Sequence, residues 1–99
     1  MIYLASYDIT EDRLRTKLAK RLEAAGLERI QYSVFAGPLT AGLLQQLKNE
    51  ISALLAKSNF QTDRCLMLPI TRRMLEAQIH WGKPLDVDYI CGDQQVLIL

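Results

Sequence analysis

Apolar residues change their spacing along this chain, and each change marks the boundary of a predicted element. Residues 2–8 are mostly apolar and are predicted to form a buried strand that ends at a carboxylate, Asp8. Leucines then recur at helical spacing to about Ala25, and Gly26 suits the end of that helix. Thr10 is the predicted N-cap of this first helix.

The same change from strand to helix pattern occurs a second time. Residues 28–39 favour β structure, as one bent strand or two short ones, before a Gly-Pro pair ends the stretch. Thr40 is the predicted cap of a second helix that runs to about Lys57, because apolar residues follow it at strongly periodic helical spacing. Residues 64–70 form a third β region with a proline near its end, which favours an edge position.

The C-terminal third of the chain has weaker patterns. Residues 71–76 fit either a helical turn or a loop, and residues 78–81 alternate like a short strand. Residues 96–99 are an apolar tail without a charge, which would be an aggregation-prone edge in a monomer. We therefore expect this tail to be paired with a second chain, in a homodimer.

This order of elements predicts the fold class. Two helices with apolar stripes need a sheet to cover, which favours an α+β, ferredoxin-like split βαβ sandwich: βαββαβ plus a C-terminal strand. The 99 residues are predicted to form a single domain. Residues 1–82 would be its core, and residues 83–99 a C-terminal arm that pairs across the dimer.

Composition narrows the class of protein without naming an activity. Apolar residues make up 49% and charged residues 23%, which is typical of a globular chain and not of a disordered one. The net charge of +1 means that any nucleic-acid interface must come from the placement of charges. Cys65 and Cys91 form no CxxC pair and are expected to be buried. No signal peptide or membrane span is predicted, which favours a cytoplasmic protein.

Asp8 is the first candidate for chemistry, because an acid between a strand and a basic helix suits a divalent cation beside a phosphate. Mg²⁺ typically takes one or two protein carboxylates and keeps several waters. If a dimer axis passes near the strand end, two copies of Asp8 would face each other, and a cation between them would offset their repulsion. The alternative is an Asp that starts the helix by accepting from the backbone N–H groups of residues 10–12.

A basic stripe is the second candidate. Arg13, Lys17 and Arg21 share one side of the first helix, and Arg15 lies on the other flank of the apolar face. We expect the stripe to border the edge of the sheet. It is either a solvated helix surface or a set of phosphate contacts, which would be independent of sequence and strongly salt-dependent. Arg29, at the start of the next β region, could reach the same groove.

Two segments, YDITEDR at residues 7–13 and GLERIQYSVFAG at residues 26–37, carry a family resemblance. The chain resembles the small CRISPR-associated protein that partners the CRISPR integrase, the Cas-two family. Residues 69–71 and Gly82 also resemble family positions, so the likeness covers roughly residues 1–82, while the tail matches only loosely.

The resemblance implies a ferredoxin-like homodimer that acquires CRISPR spacers by bridging two integrase dimers around spacer-precursor DNA. It also implies an endonuclease that uses Mg²⁺ or another divalent cation to cut RNA or DNA, an activity that varies within the family. Asp8 would then be the catalytic metal ligand. The other residues at family positions linked to activity or nucleic-acid contact are Tyr7, which we assign to catalysis, and Arg15, Lys17, Arg29 and Phe35, which we assign to nucleic acid with Arg13.

Three functional hypotheses stay open at this point. The chain is a metal-dependent phosphodiesterase built on two copies of Asp8, a purely architectural DNA-binding scaffold in which Asp8 need not react, or both. A small-molecule-binding regulatory domain is the third possibility, since this fold hosts many functions. Tyr7 and Phe35 are aromatic strand residues, which could stack on bases but belong more often to a core.

Overall fold

The structure is a computed structural model that describes residues 1–59 and 61–92. Its elements follow the predicted βαββαβ order, with two short helices after the last described strand. The elements are β1 (Ile2–Asp8), α1 (Asp12–Ala24), β2 (Glu28–Gln31), β3 (Val34–Pro38), α2 (Ala41–Leu55), β4 (Arg64–Ile70), α3 (Arg72–Glu76) and α4 (Val87–Ile90).

The four strands form one antiparallel sheet in the order β2-β3-β1-β4. β1 lies in the middle and pairs with β4 along its whole length, from Ile2 opposite Ile70 to Asp8 opposite Arg64. Its pairing with β3 ends earlier, at Ser6. β4 is an edge strand among the described residues, as its proline predicts.

One face of the sheet carries the main core. Alternate residues of a strand point to opposite faces, and the odd-numbered residues of β1 point to the side that α1 and α2 cover. The fully buried side chains there include Leu18 and Leu22 of α1, Phe35 of β3 and Leu47 of α2. Burying each such side chain contributes about 1.5–3 kcal/mol, so the predicted leucine stripes position the two helices.

The second face of the sheet is only partly covered. At one end, Ile2 and Ile70 pack with Leu75 and Ile90 from α3 and α4 in a second apolar cluster. Arg72 of α3 bonds to the carboxylate of Asp88 in α4 and so ties the two short helices together. The remainder of this face, which we call the open sheet face, is not covered by any described element. Its residues include Leu4, Ser6, Asp8, Val34, Arg64, Leu66 and Leu68.

Local capping differs between the two long helices. Thr40 caps α2 as predicted, since its side-chain oxygen accepts from the Leu43 N–H at 3.1 Å. Thr10 does not cap α1: that helix begins one residue later than the Thr10 prediction requires, with Glu11 at the N-cap and no side-chain cap bond. The Thr10 prediction was wrong because the backbone N–H of Thr10 and its hydroxyl are already bonded to Asp63.

The predicted strand at residues 78–81 does not form. Instead, the side-chain amide of Gln78 donates from its nitrogen to the Leu85 carbonyl and accepts at its oxygen from the Leu85 N–H. These two bonds close a loop between α3 and α4. Residues 71–76, ambiguous in sequence, are α3 with Thr71 as its cap. The predicted C-terminal strand at residues 96–99 lies outside the described residues. Searched over the described residues, the chain holds no helix long and apolar enough to cross a membrane.

Candidate functional site

Asp8 is the last residue of β1, and its side chain belongs to the open sheet face. Its neighbour across the ladder is Arg64, while residues two and four before it, Ser6 and Leu4, pair with Leu66 and Leu68. Asp8 is exposed, and its carboxylate makes no hydrogen bond or ion pair within residues 1–59 and 61–92. The structure therefore does not show the alternative in which Asp8 starts α1 by bonding backbone N–H groups.

The loop after β1 is held from two sides. Asp63, which precedes β4, accepts from both the backbone N–H and the hydroxyl of Thr10, each at 3.0 Å. These bonds, led by the one from the Thr10 N–H, hold the pKa of the Asp63 carboxyl below its usual value. From the other side, Arg15 Nη1 donates to the carbonyl oxygens of Ile9 at 2.8 Å and Thr10 at 3.2 Å.

Arg15 was predicted to contact nucleic acid, but its guanidinium is engaged inside the protein. Besides the two carbonyl bonds, it forms an ion pair with Asp12, and only 28% of its side chain is exposed. Its fork of donors suits three acceptors at once. In this structure Arg15 therefore orders the loop after β1, and any contact with phosphate would add to that role.

A groove lies between α1 and β2 on the helical side of the sheet, with a volume of about 320 Å³. We call it the α1–β2 groove. Its lining residues are Tyr7, Asp12, Arg15, Thr16, Ala19, Lys20, Glu23, Arg29 and Tyr32. It joins three predicted residues, Tyr7, Arg15 and Arg29, to the exposed ring of Tyr32, which sequence reasoning did not select. Tyr32 is exposed because it lies in the β2–β3 turn, before Ser33 at a φ of 64°.

Phe35 and Tyr7 belong to the core, and this corrects the expectation that Phe35 touches nucleic acid. Phe35 has no exposed surface, and Tyr7 is 7% exposed. Their rings stack with centroids 6.3 Å apart, and the Arg29 guanidinium lies 4.8 Å from the Phe35 ring centroid. Phe35 therefore does not line the groove itself, but it supports two residues that do: Tyr7 by stacking and Arg29 by a cation–π contact.

Tyr7 and Asp8 do not share a surface. As neighbours in a strand they point to opposite faces of the sheet. Tyr7 packs under α1 and lines the α1–β2 groove, while Asp8 belongs to the open sheet face. The geometry thus does not place the Tyr7 hydroxyl beside the Asp8 carboxylate, and the catalytic role assigned to Tyr7 receives no support from it.

The basic stripe of α1 faces α2 and does not border the sheet edge as predicted. Arg21 lies 3.7 Å from the Glu50 carboxylate of α2. Arg13 and Lys17 line a crevice between the helices together with Lys57. We call this the α1–α2 crevice. Three cations around one crevice retain the capacity to contact phosphates, but on a surface separate from the α1–β2 groove.

No group of three or more acidic, histidine or cysteine side chains with metal-binding geometry occurs in the part of the chain that the structure describes. Asp8 is the carboxylate on the open sheet face at this strand end, so it would be the residue of each chain that holds a metal ion there. An exposed carboxylate without a partner fits a cation that keeps most of its water shell. One chain thus offers too few ligands to enclose a cation, whereas a site shared between two chains would offer two carboxylates.

These features match one known family. A family model described as "CRISPR associated protein Cas2" matches residues 1–77, which include Asp8, α1 and the β2–β3 hairpin. The chain belongs to the Cas2 family. The Cas2 relative named "CRISPR-associated endoribonuclease Cas2 2" from Pyrobaculum aerophilum is 37% identical over 84 residues, which are 85% of this chain and 89% of that protein.

Two further Cas2 proteins add to this comparison. A "CRISPR-associated endonuclease Cas1/endonuclease Cas2 fusion" from Thermoproteus tenax is 37% identical over 59 residues, or 60% of this chain and 22% of the fusion. The crystal structure of Streptococcus pyogenes Cas2 matches with a TM-score of 0.68 at 20% identity, and covers 83% of this chain and 100% of that chain. That likeness shows the ferredoxin-like fold.

Cys65 gives a prediction that tests the packing beside this site. Both cysteines are half-buried and free, and burial raises the pKa of the Cys65 thiol from 9.0 to about 11. Because the thiolate is the reactive form, a rise of two pKa units lowers the thiolate fraction about a hundredfold at pH 8. We expect iodoacetamide to modify Cys65 about a hundredfold more slowly in the folded protein than in urea, as followed by peptide mass spectrometry. Equal rates in the two states would contradict this packing.

Proposed function

We propose that this chain acts in CRISPR spacer acquisition as a homodimer that binds DNA and bridges integrase dimers, and that it carries a metal-dependent phosphodiesterase site at Asp8. The observation that carries the proposal is the position of Asp8. It is an exposed carboxylate without a bonding partner in the described structure, and it belongs to the uncovered open sheet face, with Arg64 as its neighbour on β4.

The open sheet face supports the dimer. Leu66 is 48% exposed and Leu68 is 52% exposed, side by side on an edge strand. Exposed leucines on one face of a sheet are typical of an interaction surface. In a two-fold symmetric contact the same patch is used on both protomers. Since Asp8 belongs to that patch, such a contact brings two Asp8 carboxylates into one interface.

The two Asp8 carboxylates would hold the cation, Mg²⁺ or another divalent ion. When bound, the cation polarises a phosphate and acidifies a water molecule. The role of the chain is to present the carboxylates at fixed strand ends, because β1 pairs with β4 as far as Asp8. Relatives of this chain are named endoribonucleases, which supports RNA as a substrate, while the spacer role requires DNA.

The nucleic-acid surface would be the helical side of the molecule. The α1–β2 groove offers Lys20 and Arg29, and the α1–α2 crevice offers Arg13, Lys17 and Lys57. Lysine and arginine contacts to phosphate position a duplex without reading its sequence. A dimer doubles each surface, so affinity should fall steeply with salt.

The integrase is the proposed protein partner. One relative is named as a fusion of the endonucleases Cas1 and Cas2. Fusion of two proteins into one chain is consistent with their working together, and it supports an association between this chain and its integrase. The C-terminal arm at residues 83–99, predicted to pair across the dimer, stays a proposal. Of that arm, residues 85, 87, 90 and 91 pack against the chain's own second cluster.

The test is a comparison of wild type with Asp8→Asn. The amide cannot supply the charge that holds a cation, so metal-dependent cleavage of RNA or DNA is expected to fall about 100-fold or more if the acid is essential. Duplex affinity should stay within about twofold, because the basic surfaces are untouched. Co-purification with the integrase and a spacer-integration assay run on the same samples report the bridging role.

Asp88→Asn is the control for the same change at an exposed carboxylate outside the open sheet face; because it also removes the ion pair with Arg72, circular dichroism checks that the variant is folded. Unchanged cleavage in Asp8→Asn would remove Asp8 as the site of cleavage, and normal integration in that variant would support the architectural scaffold, the second candidate function. The position of the basic residues of the α1–β2 groove and the α1–α2 crevice, on the helical side of the sheet and away from Asp8, is the observation that favours that scaffold.

A further inference from the structure

The backbone of Asp8 pairs with fewer neighbouring strands than the rest of β1 does. The ladder between β1 and β3 ends at Ser6, and Tyr7 N–H still donates to Ser33 at 3.1 Å, but at Asp8 only the β4 ladder continues. Beyond Asp8 the chain leaves the sheet and enters α1 without a side-chain N-cap. The direction of the Asp8 side chain therefore depends on how the following residues are fixed.

The loop that follows, residues 9–11, is fixed by two charged side chains from different parts of the sequence. Asp63 bonds both polar groups of Thr10 that face it, across 53 residues of sequence. Arg15 bonds the carbonyl groups of Ile9 and Thr10 from within α1. Each of these bonds involves a charged group and a group of the loop, which is the stronger class of hydrogen bond.

We infer that Asp63, acting with Arg15, is a positioning residue for the Asp8 site: it fixes the loop after β1 so that the Asp8 carboxylate is directed toward the cation. This inference rests on the proposed metal role of Asp8. Asp63 and Arg15 contact the residues that follow Asp8 and not the cation, as is common for side chains that orient metal ligands. Asp63 itself would touch neither the cation nor the nucleic acid.

The experiment compares Asp63→Ala and Asp63→Asn in the full-length protein. The probe is Mn²⁺, and its binding is measured by paramagnetic broadening of the NMR signals near Asp8. Loss of an orienting side chain typically weakens metal affinity 10–100-fold, and that loss is expected for Asp63→Ala. Asp63→Asn keeps an oxygen that can accept from Thr10, so it should recover most of the affinity. Hydrogen exchange at the Thr10 amide should accelerate in the Ala variant and slow again in the Asn variant.

Thr71→Ala is the matched control, because it removes a side-chain bond of similar kind, Thr71 to the Met74 N–H at 3.1 Å, from the cap of α3. It lowers stability without touching the loop, so it should leave Mn²⁺ affinity unchanged. Equal Mn²⁺ affinity in wild type and Asp63→Ala would overturn the inference, even if Thr10 exchange accelerates. If Asp8→Asn itself fails to change Mn²⁺ binding, the metal proposal fails first, and the inference is overturned with it.

Discussion

A variant carrying Leu66→Lys and Leu68→Lys is expected to be a monomer at concentrations where the wild type forms the proposed dimer. The two leucines are about half exposed in a single chain, so burying the rest of four such side chains in a symmetric interface contributes about 3–6 kcal/mol. That is a large part of the roughly 8–12 kcal/mol of a micromolar to nanomolar dimer. Four lysines add the cost of desolvating unpaired charges.

The measurement is sedimentation or light scattering over a concentration series, with circular dichroism to show that the monomer is folded. Leu43→Lys is the control: Leu43 is 39% exposed on α2, outside the open sheet face, and a lysine there should leave the dimer intact. A double variant that stays dimeric would place the interface elsewhere and would separate the two copies of Asp8. Loss of the dimer together with loss of Asp8-dependent cleavage would support a metal site that forms between the two chains.

The fold was predictable because its main signal is local. The spacing of Leu14, Leu18 and Leu22 predicts which face of α1 is buried, and all three are buried. The α2 prediction succeeded for the same reason, with Thr40 as its cap. Residues 78–81 alternate as a strand does, but the bonds from Gln78 to Leu85 decide their structure. A hydrogen bond from a side chain to the backbone of another segment produces no periodic pattern in the sequence.

The site was harder to predict, because its residues meet through the tertiary fold. A helical wheel shows that Arg13, Lys17 and Arg21 flank the apolar stripe of α1, but not which neighbour they face. The position of α2 decides that, and it places Arg21 beside Glu50. Asp63 lies in the polar segment between α2 and β4, which has no helix or strand pattern. Its role follows only from topology: β4 runs antiparallel to β1, so the residue before β4 lies beside the residues that follow β1.

Phe35→Ala is expected to cause the largest loss of stability of any change near the α1–β2 groove. Phe35 is fully buried between Tyr7 and the helical layer, and a Phe-to-Ala change in a core typically costs about 3–5 kcal/mol. A domain of this size is stable by roughly 5–15 kcal/mol, so the variant should lose a large fraction of its free energy of unfolding. Urea denaturation followed by circular dichroism measures the loss. Tyr32→Ala removes an exposed ring three residues away and should stay within about 0.5 kcal/mol of wild type.

Phe35→Leu separates packing from the support of Arg29. Leucine fills much of the same volume, and such swaps usually cost less than about 1.5 kcal/mol, but it has no aromatic face for the Arg29 guanidinium. If Arg29 contacts phosphate from its place over the ring, Phe35→Leu should weaken duplex binding at low salt while the protein stays folded. Affinity equal to wild type would show that Arg29 needs no such support. A loss in Phe35→Ala below about 1 kcal/mol would contradict the core position itself, because a cavity of that size cannot be filled without cost.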